Sequence, residues 1–387
     1  MTSETWRVGV LFSTSGITAA VERTQRNATL LAIEQINANG GIDGRLIEPI
    51  AYNPGSDPKQ YRDQAELLCD QHKVSVIFGC YMSSSRKAAL PIIEARGALL
   101  FYPTLYEGFE YSPHCIYTGP APNQNSVQLV NYVSRKFGNR IAMIGSNYVY
   151  PYESNRVIAD LFNQTGGRVL HEQYVPLTAT ADVFAKIIEQ VAKLQPDAIY
   201  STVVGDGIAL FYQAYRDAGL DPATMPIISL STSEAEVAQM APGTAVGHIT
   251  ASPYFEGLRT PQSEGFVAAY RARFGADARI TACAEAAYFQ VYLYALGVAR
   301  AQTDRFALLL PHLHDLEFDA PQGRVKIDGA TNHTHVWSRV GQVNAQGLFD
   351  VVDEPGVRVA PDPYMLKYSL DAESPLAVRL NLQPMGS

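Results

Sequence analysis

The chain has 387 residues, 47% of them hydrophobic and 18% charged, with a formal net charge of −8. That length holds two domains with a core each, and the balance excludes an intrinsically disordered chain. Its 30 lysines and arginines are scattered without a basic block, which excludes direct nucleic-acid binding.

The N-terminal apolar run, Trp6 to Phe12, is short and is followed at once by Ser13-Thr14-Ser15. It does not match a secretory leader, so the chain as written is expected in the cytoplasm, or in the periplasm if a leader has been removed. No stretch of about 18 apolar residues is present, so no membrane insertion is expected.

Short, apolar, turn-bounded runs at Val8–Phe12, Leu46–Asn53, Val74–Cys80 and Ala98–Pro103 predict strands. Helical spacing lies between them at Val21–Asn39, Pro58–His72 and Ser83–Arg96, with Gly40-Gly41 as a C-terminal stop. The alternation with short connections implies a parallel sheet covered on both faces. The segment from Tyr117 to Asn123 is rich in Gly and Pro, lacks periodicity and has the composition of a hinge.

The pattern then restarts. Strands are predicted at Arg140–Ser146, Arg168–Val175, Ala198–Val204 and Pro226–Ser231, and helices at Asn125–Phe137, Tyr152–Gly166, Asp182–Leu194 and Gly207–Ala218. Two α/β units of similar length argue for two similar lobes. Beyond Gly247–Tyr254 the pattern is mainly helical: Pro261–Phe274, Ala282–Arg300 and Asp304–Leu316. Strands at Gly323–Asp328, Thr334–Val340 and Leu348–Val352 follow.

Ser84-Ser85-Arg86-Lys87 fits the S-x-x-K pattern of a lysine-activated serine, but the S-D-N and K-T-G elements that complete that machinery are absent. The same serines lie where a strand runs into a helix and read as N-caps, beside free backbone N–H groups that attract carbonyls and carboxylates. His333-x-His335 has no Cys or carboxylate at ligand spacing, so no metal is assigned. No cofactor motif occurs, and no catalytic residue is assigned. Cys69, Cys80 and Cys283 sit among apolar or small residues, as buried free thiols do.

Tyrosines gather at strand ends: Tyr81, Tyr102, Tyr106, Tyr148, Tyr150 and Tyr152. Two sheets meeting edge to edge with such a lining, and without a charge pair for a zwitterion, suit a small neutral polar ligand.

These segments, above all Phe78–Ser83 (FGCYMS), Phe101–Gly108 (FYPTLYEG), Gly119–Ser126 (GPAPNQNS), Tyr150–Asn155 (YPYESN) and Asp319–Gly323 (DAPQG), resemble the type I periplasmic-binding-protein family. Within it they resemble the AmiC-type amide receptors, and more distantly the urea- and amide-binding components of ABC transporters; the resemblance runs from Val8 to about Leu370. It implies an α/β fold of two lobes, each a parallel sheet flanked by helices, with three interlobe crossings. Lobe I would span 1–119 and 253–329, and lobe II 120–252 and 330–387.

The resemblance further implies that Ser83 binds an amide through its backbone N–H and hydroxyl. Tyr102 and Thr104 would meet the head group, and Tyr81, Tyr148, Tyr150 and Val204 would wall the pocket with Ser231 nearby. Where the family carries proline after the pocket threonine, this chain has Leu105, which alters the pocket volume. The implied role is a cytoplasmic sensor of acetamide, propionamide, butyramide or urea that represses amidase expression by holding an RNA-binding antiterminator. The alternative is a receptor that delivers urea or short amides to an ABC transporter. An amidase would lack a complete catalytic set. A homo-oligomer is compatible with the sequence, which carries no signal for a stoichiometry.

Overall fold

A computed structural model describes residues 5–366. Residues 367–387, at the end of the last segment expected for lobe II, lie outside the described residues. The first sheet forms from β1 (Trp6–Leu11), β2 (Ile47–Tyr52), β3 (Val76–Gly79), β4 (Leu99–Tyr102) and β5 (Cys115–Tyr117), ordered β2-β1-β3-β4-β5 and parallel throughout. Helices α1 (Ala19–Ala38), α2 (Pro58–Asp70) and α3 (Ser83–Ala95) cover it. β3, β4 and β5 are buried along their whole length, as strands covered on both faces must be. Asp57 starts α2 by accepting the Lys59 backbone N–H, with Pro58 in the first turn, where its missing donor costs nothing.

The chain then enters a second unit: α4 (Pro122–Lys136), β6 (Arg140–Ser146), α5 (Val149–Gln164), β7 (Arg168–Val175), α6 (Ala181–Leu194), β8 (Ala198–Thr202), α7 (Gly207–Asp217), β9 (Ile227–Ser229), α8 (Glu234–Val237) and β10 (Ile249–Ser252). It returns to the first unit with α9 (Pro261–Phe274), α10 (Ala282–Ala301) and α11 (Phe306–Leu313), followed by a small antiparallel sheet of β11 (Glu317–Ala320), β12 (Gly323–Ile327) and β13 (Thr334–His335). β14 (Arg339–Val343) and β15 (Phe349–Asp353) complete the second sheet, whose order is β15-β14-β10-β9-β8-β6-β7. From β10 to β7 that sheet is parallel, and β14 and β15 add antiparallel. The result is a two-lobed α/β architecture with three passages between the sheets.

Several expected boundaries move. The unpatterned segment contains the end of β5 and the start of α4, because Pro122 begins a helix, leaving only residues 118–121 outside regular structure. α5 begins at Val149 rather than Tyr152. Thr334–Val340 is not one strand: Thr334 and His335 pair with β12, while Arg339 and Val340 pair in the other sheet. Ser83–Ser85 lie inside the first turn of α3, and its N-cap is Met82, which makes no side-chain cap bond.

The first core joins both sequence segments of its lobe, packing Val8, Val10, Phe78 and Phe101 against Phe289, Tyr294 and Leu313. The second lobe has cores on either face of its sheet, one under α6 and α7 and one under α4 and α5. A smaller cluster is drawn from both lobes: Val21, Tyr81 and Met82 from one, Ala235, Tyr148 and Leu177 from the other. The lobes are therefore closed on each other in this structure. Among the described residues, no helix is long and apolar enough to cross a membrane.

Candidate functional site

In parallel α/β sheets the carboxyl ends of the strands carry the ligand site, because helix N-termini and their unpaired amides converge there. Both sheets turn that edge towards the cleft. From the first lobe, the end of β3 leads through Cys80 into Tyr81, Met82 and Ser83. Cys80 takes a positive φ of 70°, turning the chain into α3, and its N–H stays on the Leu11 carbonyl at 3.0 Å. The end of β4 supplies Pro103, Thr104 and Leu105. From the second lobe, β6 ends before Tyr148 and Tyr150, β8 before Val204, and β9 before Ser231.

Seven of the eight expected residues meet around one cavity of about 240 Å³: Tyr81, Ser83 and Thr104 from the first lobe, and Tyr148, Tyr150, Val204 and Ser231 from the second. Leu105 is the remaining wall residue. Tyr102 does not line it. Its ring is fully buried behind the wall, its hydroxyl donates to the Tyr81 carbonyl at 2.6 Å, and its carbonyl accepts the Thr118 N–H at 2.9 Å. Tyr102 holds Tyr81 and the hinge segment rather than facing a ligand. Tyr106 and Tyr152 also stand apart: Tyr106 pairs its hydroxyl with His333 at 2.6 Å, and Tyr152 is exposed and stacked on Tyr174.

Among the described residues no charged side chain lines the cavity. The nearest charges are sealed behind Ser83. Arg86, fully buried, donates to Glu107 at 3.1 Å and to Glu110 at 2.7 Å, and Lys87 reaches Glu110 at 2.7 Å. Burial pushes the Glu110 carboxyl up, but Arg86 and Lys87 outweigh it and hold the group at about 2. Lys87, the base of the S-x-x-K pattern, is therefore committed to an ion pair. The Ser83 hydroxyl donates to Glu107 and accepts from Arg86 at 3.3 Å. Thr104 accepts the Gln25 amide at 2.9 Å and lies 3.4 Å from the Cys80 carbonyl. Burial keeps the phenols of Tyr81, Tyr148 and Tyr150 neutral, far above their ordinary range. The Tyr150 hydroxyl has no hydrogen-bond partner of normal geometry among the described residues; the nearby Ser154 hydroxyl is engaged with Tyr200 at 2.7 Å.

The two lobes meet tightly at the rim. Gly205, at a φ of +64°, comes so close to Ile17 that a Cβ there would lie 2.6 Å from its carbonyl oxygen. At the first passage between lobes, a Cβ on Gly119 would fall 2.2 Å from the Thr104 carbonyl, so only glycine lets that segment run against Thr104. The sequence pattern missed Gln25, Glu107 and Arg86 as supports of the site: an acid in a loop and an arginine in a helix read as solvated charges.

Of the histidine pair, His333 uses Nδ1 towards the Thr331 carbonyl and Nε2 towards Tyr106. Among the described residues no group of three or more His, Cys, Asp or Glu converges as a metal site would require. All four cysteines are unpaired; Cys69, Cys80 and Cys115 are buried and Cys283 is partly so. A larger groove of about 1380 Å³ between α6 and α7 lies on the outer face of the second lobe, away from the strand ends.

Residues 6–370 match the family described as periplasmic binding protein domain. Over 333 residues the chain is 23% identical to the leucine-, isoleucine-, valine-, threonine- and alanine-binding protein of Pseudomonas aeruginosa, covering 85% of this chain and 87% of that one. A 128-residue stretch is 26% identical to limonene hydroxylase of Geobacillus stearothermophilus, covering 33% of this chain and only 23% of that enzyme's length. Among solved structures, a solute-binding protein of an ABC transporter from Rhodopseudomonas palustris in complex with 3,4-dihydroxybenzoic acid superposes with a TM-score of 0.81. It is 21% identical and covers 91% of this chain and 99% of that one.

Proposed function

Because the chain belongs to the periplasmic binding protein family, we propose that it is a non-enzymatic receptor that closes on a small neutral solute with a primary amide or urea head group. The observation that carries this reading is the uncharged cavity in which the Ser83 hydroxyl proton is committed to Glu107. Its oxygen, and that of Thr104, which already accepts a hydrogen bond from Gln25, then present lone pairs to the ligand. A primary amide brings two N–H donors to such acceptors, and its carbonyl suits the uncapped first-turn amides of α3 beside Ser83. A carboxylate has no proton to offer and would approach with Glu107 behind the wall.

The likeness to a solute-binding protein of an ABC transporter favours delivery to such a transporter over a cytoplasmic sensor. This reading places the protein with periplasmic receptors and keeps the lobe limits 1–119 with 253–329 and 120–252 with 330–387, which the sharing of sheets supports except at the last limit, where Thr334 and His335 still pair with β12 and the chain joins the second sheet only at Arg339. Titration calorimetry with acetamide, urea, acetate and leucine tests it. Binding of acetamide or urea without binding of acetate supports the amide reading; binding of acetate or leucine and of no amide ends it. The sensor role, with an RNA-binding antiterminator as partner, would be reinstated by a co-purified regulator that acetamide releases.

A further inference from the structure

Leu105 stands where three cavities adjoin. Besides the head-group cavity, it walls one of about 490 Å³ beside the hinge and one of about 230 Å³ under α4 and α5. The hinge chamber also shares Tyr81 and Ser231 with the head-group cavity. Pro120 and Pro253 border it where the chain passes between lobes, and Thr281 and Cys283 come from the start of α10.

The chamber's lining combines apolar walls with a few polar groups. One of these is orphaned: Asn125, 2% exposed and facing both the hinge chamber and its smaller neighbour, makes no side-chain hydrogen bond among the described residues. A buried carboxamide without a partner carries a desolvation penalty that a bound group would relieve. Glu234, the one carboxyl lining the chamber, accepts the Glu256 N–H at 3.0 Å. Burial, reinforced by Glu256, pushes it up to about 8, so it enters neutral at neutral pH. A chamber without net charge selects an uncharged occupant.

We propose that the hinge chamber is a second subsite, holding the uncharged far end of an elongated solute whose head group sits at Ser83 and Thr104, with Asn125 meeting a hydrogen-bonding group at that end and Leu105 setting the passage between the two. The inference rests on the amide reading of the head-group cavity and extends it from two- or three-carbon amides to longer, bifunctional ones.

The test is calorimetric titration of the full chain with acetamide, butyramide, hexanamide and the diamide adipamide. Affinity should rise about fourfold for each methylene added beyond butyramide. Leu105→Ala should raise the hexanamide-to-acetamide affinity ratio about tenfold, since each trimmed carbon widens the passage. Asn125→Leu should lower the adipamide-to-hexanamide ratio about fivefold, through loss of one hydrogen bond. If Asn125→Leu does not fold, the wild-type series and Leu105→Ala decide. Affinities that peak at acetamide or butyramide and fall for hexanamide in both wild type and Leu105→Ala overturn the subsite while leaving the amide receptor standing. Failure of every amide to bind removes both.

Discussion

Replacing Arg86 with methionine tests whether the charge cluster behind Ser83 holds the first lobe together. Arg86 is fully buried, donates to Glu107 at 3.1 Å and to Glu110 at 2.7 Å, and lies 4.8 Å over the rings of both Tyr102 and Tyr106. Without it Glu107, whose side chain is 3% exposed, keeps only Lys87 at 3.7 Å as a cation. Breaking a buried pair by removing one partner costs about 3–5 kcal/mol, because the remaining charge is left uncompensated. The depression of Glu110 from 4.5 to about 2, which Arg86 and Lys87 produce together, corresponds to roughly 3 kcal/mol and is of the same order. Urea unfolding followed by circular dichroism should therefore place Arg86→Met about 3–5 kcal/mol below wild type. The double variant Arg86→Met/Glu107→Gln should recover part of the loss, since the stranded charge goes with it. A single variant within 1 kcal/mol of wild type, or a double variant less stable than the single, would refute the reasoning.

Thr104→Val should weaken acetamide binding about tenfold to a hundredfold, the effect of leaving a buried polar ligand atom unpaired at about 1–3 kcal/mol; unchanged affinity by calorimetry would remove Thr104 from the site. Gly205→Val should weaken amide binding by favouring the open form, since its Cβ would meet the Ile17 carbonyl at 2.6 Å. Small-angle scattering should show a larger radius in saturating ligand than for wild type, and an unaltered radius would contradict this. Stability should fall between about pH 6.5 and 8. Burial raises Glu22 and Glu236 to about 7 and Glu234 and Glu285 to about 8, so the native state binds more protons than the unfolded one as pH rises through that window. His248 and His333 are depressed to about 3 and 4, so they favour stability as pH rises towards their unfolded value near 6.5 and contribute no further change above it. Urea midpoints that increase from pH 6.5 to 8.5 would show the sign to be wrong.

The alternation of strands and helices was legible because burial on both faces leaves continuous apolar runs, and the expected limits of β6 and β7 coincide with the observed ones. β5 escaped because three residues, Cys-Ile-Tyr, are too short for a period to register, and β11 because Glu-Phe-Asp-Ala alternates charged positions at a sheet edge. The split between β13 and β14 is a property of the passage between lobes, where an extended run changes sheets without changing composition. The candidate site residues could be named from the resemblance, and the structure gathers seven of them at one cavity. Tyr102 faces away for a reason that no pattern carries: its hydroxyl is needed on the Tyr81 carbonyl. The meeting of three cavities at Leu105 depends on packing between lobes, which local sequence does not encode.

The contact of Gly119 with Thr104 joins the hinge to the recognition surface without intermediaries. A change in the angle between lobes must slide this segment along the backbone of Thr104, so a ligand that immobilised Thr104 would immobilise the pivot as well. Such a bearing needs no relay of side chains to report occupancy. A substitution at Gly119 would strike affinity and closure together, and no variant at that position should separate them.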